Sequence, residues 1–189
     1  NGFNGFESLK AKLFAELEWN PTMTFEEYTG VIKKYLKAIY GYGYEHVYNY
    51  LVELCNANEA VTVCVPMYAS AFDLYSKSYV AEHYEYMRNE LLLAKQEQGS
   101  IGKSCHTNLD KLFMTCEALG LSASYDKMYT NGTPESRAEY EKRYTDLYNY
   151  IKNNNIVISS EPTLTLPSTI SFDKSPFIQF YKTEHRYMP

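Results

Sequence analysis

Residues Leu13–Tyr50 read LFAELEWNPTMTFEEYTGVIKKYLKAIYGYGYEHVYNY, and this stretch decides the fold class. Leu13, Phe14 and Leu17 continue a series begun by Phe6 and Leu9, at the three- and four-residue spacing of an amphipathic helix. Asn20-Pro21 ends that helix, because the residue before a proline is disfavoured in helical geometry. Thr24 then reads as an N-cap and Glu27, three residues later, as the other half of a capping box. A second helix follows, with Phe25, Tyr28, Val31, Ile32, Tyr35, Leu36 and Ile39 on one stripe. Gly41 and Gly43 terminate it or turn the chain.

Working outward, a third helix carries Tyr44, Val47, Leu51, Leu54 and Cys55 on one face. Val61–Pro66 is short and β-branched and reads as an extended connector. A fourth helix is predicted from about Ala69 to Gln98, stopped by Gly99. It shows two stripes: Phe72, Tyr75, Tyr79, His83, Tyr86 and Leu93 near heptad spacing, and Val80, Tyr84, Met87 and Leu91. The fifth presents a clean seam of Ile101, Cys105, Leu109, Leu112, Cys116 and Leu119. Gly120 breaks that helix, or Leu121 to Tyr129 prolongs it by another turn or two. Asn131-Gly132 is a turn, Thr133 a cap, and Pro134 sits where a first helical position tolerates proline. Tyr140, Tyr144, Leu147, Tyr148 and Ile151 mark the last helix, ended by Asn153-Asn154-Asn155. Beyond it, Ile156-Val157-Ile158, Leu164-Thr165-Leu166 and Ile170-Ser171-Phe172 are β-prone and punctuated by Pro162, Pro167 and Pro176.

The expected fold is therefore mainly α. It comprises a bundle of about six helices over residues 1–155, and an extended, partly β-prone tail over 156–189 that packs on the bundle or on a neighbouring domain. A length of 189 residues suffices for one ordinary core. The chain opens Asn1-Gly2-Phe3-Asn4-Gly5, with no initiator methionine and no signal peptide, and turns helical almost at once. That start is expected of a segment cut from the interior of a longer polypeptide.

The composition is globular but unusually aromatic, with 20 tyrosines, 9 phenylalanines and 1 tryptophan. Tyrosine places its ring in a core while its hydroxyl reaches a polar partner, so most of these side chains are expected to be half-buried. The net charge is −5, from 18 basic and 23 acidic residues intermixed along the chain. No basic run is present that would release counterions from a phosphate backbone, which argues against nucleic acid as a partner. No apolar stretch approaches the roughly 20 residues of a membrane span. The four cysteines form no Cys-x-x-Cys pair and read as small core residues. Cys105 and Cys116 lie on one helix, about 16 Å apart, too far for a disulfide. Cys55 and Cys64 are close enough in sequence to meet across a helix end, though nothing requires it.

No motif marks an enzyme: no phosphate loop, no His-Glu-x-x-His, no Gly-x-Ser-x-Gly. No catalytic residue, metal ligand or cofactor is expected. Glu26-Glu27 sits at a helix start, where the macrodipole explains it. Cys105-His106 is the only adjacent thiol–imidazole pair, but helical neighbours diverge by about 100°, so the thiol is expected to face the core and the ring the solvent. His83 lies among tyrosines and reads as packing rather than as a metal ligand. Asn131-Gly132-Thr133 fits a glycosylation acceptor pattern, though its turn-and-cap role already accounts for it. The candidates for an interface or ligand surface are Trp19 and the Tyr40-Gly41-Tyr42-Gly43-Tyr44 corner. There, polar-edged rings stand beside glycines that let a backbone approach closely.

Leu13, Leu17, Trp19-Asn20-Pro21, Phe25, Tyr40-Gly41 and Tyr50-Leu51 together resemble the C-terminal helical region of the domain-of-unknown-function 4838 family. In that family the Trp-Asn-Pro segment follows a glycoside-hydrolase-like (β/α) barrel, in bacterial proteins associated with carbohydrate use. Thr22-Met23-Thr24 stands where the family often has acidic residues. The resemblance implies a non-catalytic C-terminal module that braces an upstream barrel domain of the same polypeptide and helps line its carbohydrate cleft, with the catalytic carboxylates outside this chain. It also implies a bacterial protein, secreted or at the cell surface if the parent carries a signal peptide. Trp19 is expected to bury between helices or against the barrel. The alternative is a protein- or carbohydrate-binding helical module that uses its tyrosine-rich faces.

Overall fold

A computed structural model of the chain describes residues 6–64, 74–98 and 103–153. These residues are mainly helical, and no strand occurs among them. In chain order they form α1 (Glu7–Trp19), α2 (Phe25–Tyr40), a 3₁₀ turn (Gly41–Gly43), α3 (Tyr44–Glu59), α4 (Lys77–Gln98), α5 (Lys103–Tyr125), a π-helical turn (Asp126–Thr130) and α6 (Pro134–Asn153). The β-prone segments after Asn155 lie outside the described residues. The described residues gather into two compact units, each assembled from separate stretches of the chain.

The first unit takes residues 6–56 with 83–98 and 103–116. The α1–α2 corner forms as its residues dictate. The Asn20 N–H donates to the Glu16 carbonyl at 2.8 Å, the Met23 N–H donates to the Asn20 carbonyl at 3.2 Å, and Pro21 prevents continuation. The capping box is complete: the Thr24 N–H donates to Glu27 Oε2 at 2.8 Å, and the Glu27 N–H donates to Thr24 Oγ1 at 3.2 Å. The Thr24 N–H holds the Glu27 carboxyl below its usual range.

Phe6 just before α1, Leu9 from α1, Leu36 and Tyr40 from α2, and Val47, Tyr50 and Leu54 from α3 enter the core. From α4 it takes Tyr84, Met87 and Leu91, and from α5 Leu109, Leu112 and Cys116. Burying each of the large aliphatic or phenylalanine side chains fully stabilises the fold by about 1.5–3 kcal/mol. The Phe6 ring meets the Tyr40 ring edge-on at 6.4 Å and lies tilted against Tyr50, also at 6.4 Å. On the part of α4 in this unit it is Tyr84, Met87 and Leu91 that turn inward, while His83 is half-buried and Tyr86 is exposed.

The second unit takes residues 57–64, 74–82 and 117–153. Here α4 begins at Lys77, later than the expected Ala69, because Ser76 starts it. The Ser76 N–H donates to the Ala57 carbonyl at 2.8 Å, and Ser76 Oγ accepts from the Tyr79 N–H at 3.4 Å. Residues 65–73, which include Phe72, lie outside the described residues. Gly120 does not end α5. The helix runs on to Tyr125 and widens into the π turn, where the Asn131 N–H reaches back to the Asp126 carbonyl at 2.9 Å. Thr133 caps α6, its Oγ1 accepting from the Ser136 N–H at 3.3 Å, and Pro134 takes the first helical position. Tyr140, Tyr144, Leu147, Tyr148 and Ile151 are all buried, as their spacing predicts. Arg143 Nη2 meets Glu117 Oε2 at 3.2 Å beside them.

The expectation of core cysteines needs correction. Cys116 is buried and Cys105 half-buried, but Cys55 and Cys64 are exposed. Cys55 falls outside the buried series Val47, Tyr50 and Leu54 of α3, a register that the third helix's apolar residues alone did not fix.

Candidate functional site

Charged groups concentrate on the seam between α3 and α4 in the first unit. His46, Asn49 and Glu53 recur at three- and four-residue spacing on α3, and His83, Glu90 and Glu97 recur every seven residues on α4. His46 Nδ1 stands 2.9 Å from Glu90 Oε2, and His46 Nε2 stands 3.3 Å from Glu97 Oε1. Asn49 Nδ2 donates to the same Glu90 oxygen at 2.8 Å. Further along, His83 Nδ1 meets Glu53 Oε2 at 3.0 Å. Each helix thus offers one imidazole to a carboxylate of the other. Burial by itself pushes the His46 ring toward its neutral form, but its hydrogen bonds to Glu90 and Glu97 outweigh that and raise its pKa above the ordinary value. Burial, then the charges of Glu90 and Glu53, raise the Tyr86 phenol.

The second feature is the α1–α2 corner, whose apolar residues face outward. Trp19 is 90% exposed, Phe25 81% and Phe14 69%. Within this chain the indole, on the last residue of α1, therefore does not bury between helices. Leu17 is also exposed, so the inward face of α1 is confined to its first turns.

The tyrosine–glycine corner divides between core and surface. Tyr40 is buried, Tyr42 is 61% exposed and Tyr44 is half-buried. Gly41 adopts φ +66° as the cap of α2, and a side chain on Gly43 would collide with the backbone of Ala94 in α4. The end of α2 is closed by amides from other helices. Gln98 Nε2 donates to the Tyr40 carbonyl, and Asn108 Nδ2 donates to the Ile39 carbonyl at 3.4 Å. The outer face pairs cations with rings: Lys33 Nζ lies 4.8 Å from the Tyr48 centroid, and Lys37 Nζ lies 5.4 Å from that of Tyr44.

Sequence reasoning singled out Trp19, Tyr40, Tyr42 and Tyr44, and the structure brings none of their side chains onto the α3–α4 ladder. It missed His46, Glu53, Glu90 and Glu97. The available signal is the seven-residue spacing of His83, Glu90 and Glu97, of which only His83 falls on the aromatic stripe. Cys105 and His106 are both half-buried rather than split between core and solvent. Among the described residues no group of three or more His, Cys, Asp or Glu is arranged to hold a metal ion, and no helix is long and apolar enough to cross a membrane. The fold and these features define a mainly α-helical protein. No protein-family model, curated protein or solved structure matches the chain.

Proposed function

We propose that this chain is a non-catalytic helical module that braces a glycoside-hydrolase-like barrel domain of the same polypeptide through its α1–α2 corner. The observation that carries the reading is the exposure of Trp19 at the end of α1, with Phe25 at the start of α2 exposed as well. A rigid indole held out by a proline-stopped helix is costly to leave in water and gains most when a partner covers it. The resemblance of Leu13–Tyr50 to the domain-of-unknown-function 4838 family supplies the partner's class. The non-catalytic part rests on the α3–α4 ladder, where imidazoles and carboxylates are engaged with one another rather than directed at a shared open point.

The test begins with the complete reading frame, which should encode a (β/α) barrel ahead of Asn1. An initiation codon directly before Asn1 would sink the proposal. Titrating the purified chain with the separately produced barrel should then shift Trp19 emission to the blue.

Tyr42, held outward on the 3₁₀ turn, favours a second reading in which the tyrosine-rich face binds carbohydrate or protein. Sugar-dependent quenching of the chain's own fluorescence, abolished by Tyr42→Ala, would select it over bracing.

A further inference from the structure

The position of His46 between two carboxylates favours its charged form. Both ring nitrogens face carboxylate oxygens, Nδ1 toward Glu90 at 2.9 Å and Nε2 toward Glu97 at 3.3 Å. A neutral imidazole carries one N–H, so either tautomer would set a ring lone pair against a carboxylate. Only the imidazolium donates to both. Glu90 is 6% exposed, and a carboxylate that deep is tolerated while it is paired and costly once its partner loses charge.

We propose that His46 is a protonation-dependent bolt on the α3–α4 seam. Charged, it clamps α3 to α4 through Glu90 and Glu97; neutral, it releases them and the seam loosens. This device is independent of the docking role of the α1–α2 corner.

The groups around the bolt favour this behaviour. On its own helix, Glu45 adds negative potential and is itself bound to Lys33 Nζ of α2 at 2.9 Å. From α4, Tyr86 is kept in its neutral form and Asn49 of α3 contributes an amide rather than a charge, so neither replaces the imidazolium at Glu90. The neighbouring cations of α4 point toward α5. Lys95 Nζ meets Asp110 Oδ1 at 2.6 Å and lies over the Phe113 ring, as does Arg88. The raised pKa of His46 fixes the sign. The bolt's contribution is complete below the ordinary histidine value of about 6.5 and is lost as pH rises through the higher folded-state value.

The experiment combines NMR titration of the four histidines of the intact chain with thermal unfolding from about pH 6 to about pH 9. The resonance that disappears in His46→Gln should titrate above the ordinary histidine value. The wild-type Tm should fall by about 3 °C across the range, and that fall should shrink in His46→Gln. Glu97→Gln removes a half-exposed partner and keeps the fold testable if His46→Gln does not fold. It should move the His46 titration to lower pH. A His46 that titrates at or below the ordinary value, or a Tm profile whose slope is the same in wild type and variants, overturns the proposal.

Discussion

Gly43 shows how much one residue can carry in this chain. Its Cα lies so close to the backbone of Ala94 that a methyl group would collide with atoms unable to rotate away. Gly43→Ala is therefore expected to destabilise the protein by about 1–3 kcal/mol, read as a lowered denaturant midpoint with an unchanged slope. Tyr140 presents the opposite case. Its ring is 1% exposed and packs on Tyr125 and Tyr129 at 5.8 and 5.7 Å, but its hydroxyl has no hydrogen-bond partner among the described residues. Burial raises that phenol far above its usual range. Tyr140→Phe keeps the ring and deletes the group that burial penalises, so its Tm should match or exceed that of the wild type. A Tm lowered by several degrees would reveal a bond to the hydroxyl. The Tyr-Gly repeat marked a tight corner in the sequence. That Gly43 is needed for Ala94, and that Gln98 closes the carbonyl of Tyr40, depends on residues more than fifty positions away, which no local pattern encodes.

Among the elements, those legible in the sequence were those whose signals are local. Thr24 and Glu27 form their box within one turn, so the start of α2 was readable. Thr24→Ala removes the side-chain acceptor for the Glu27 N–H and should cost about 1 kcal/mol, measured by chemical denaturation. Thr24→Ser should restore most of that loss. On α6 the whole buried series was legible, because one narrow tyrosine–leucine stripe stands against charged neighbours. On α4 two apolar stripes competed, and periodicity alone cannot say which one turns inward. The start of α4 was misplaced because it is set by Ser76 bonding to Ala57, a contact across a connection rather than a property of the helix. The polar ladder was missed for a related reason. Histidine and glutamate at helical spacing normally read as a solvated face, and only the approach of α3 to α4 buries Glu90.

For the molecule as a whole, the lone tryptophan is a built-in reporter. With Trp19 90% exposed, the isolated chain should emit as a water-exposed indole and be strongly quenched by a small neutral quencher. Trp19→Ala should leave stability within about 0.5 kcal/mol of wild type, as for other surface substitutions. A large loss of stability would mean that the ring is buried after all. The sequence by itself determined the helical class, the Trp-Asn-Pro and Tyr-Gly corners, the capping box and the α6 core face. These follow from φ restriction, capping and periodicity, which act over a few residues. Tertiary structure alone decided that the corner's aromatics face outward, that Cys55 and Cys64 stand on the surface, and that His46 sits between two carboxylates of α4. The physical reason is that burial and charge pairing depend on which helix faces arrive at the same place, and a one-dimensional pattern specifies the faces without specifying their meeting.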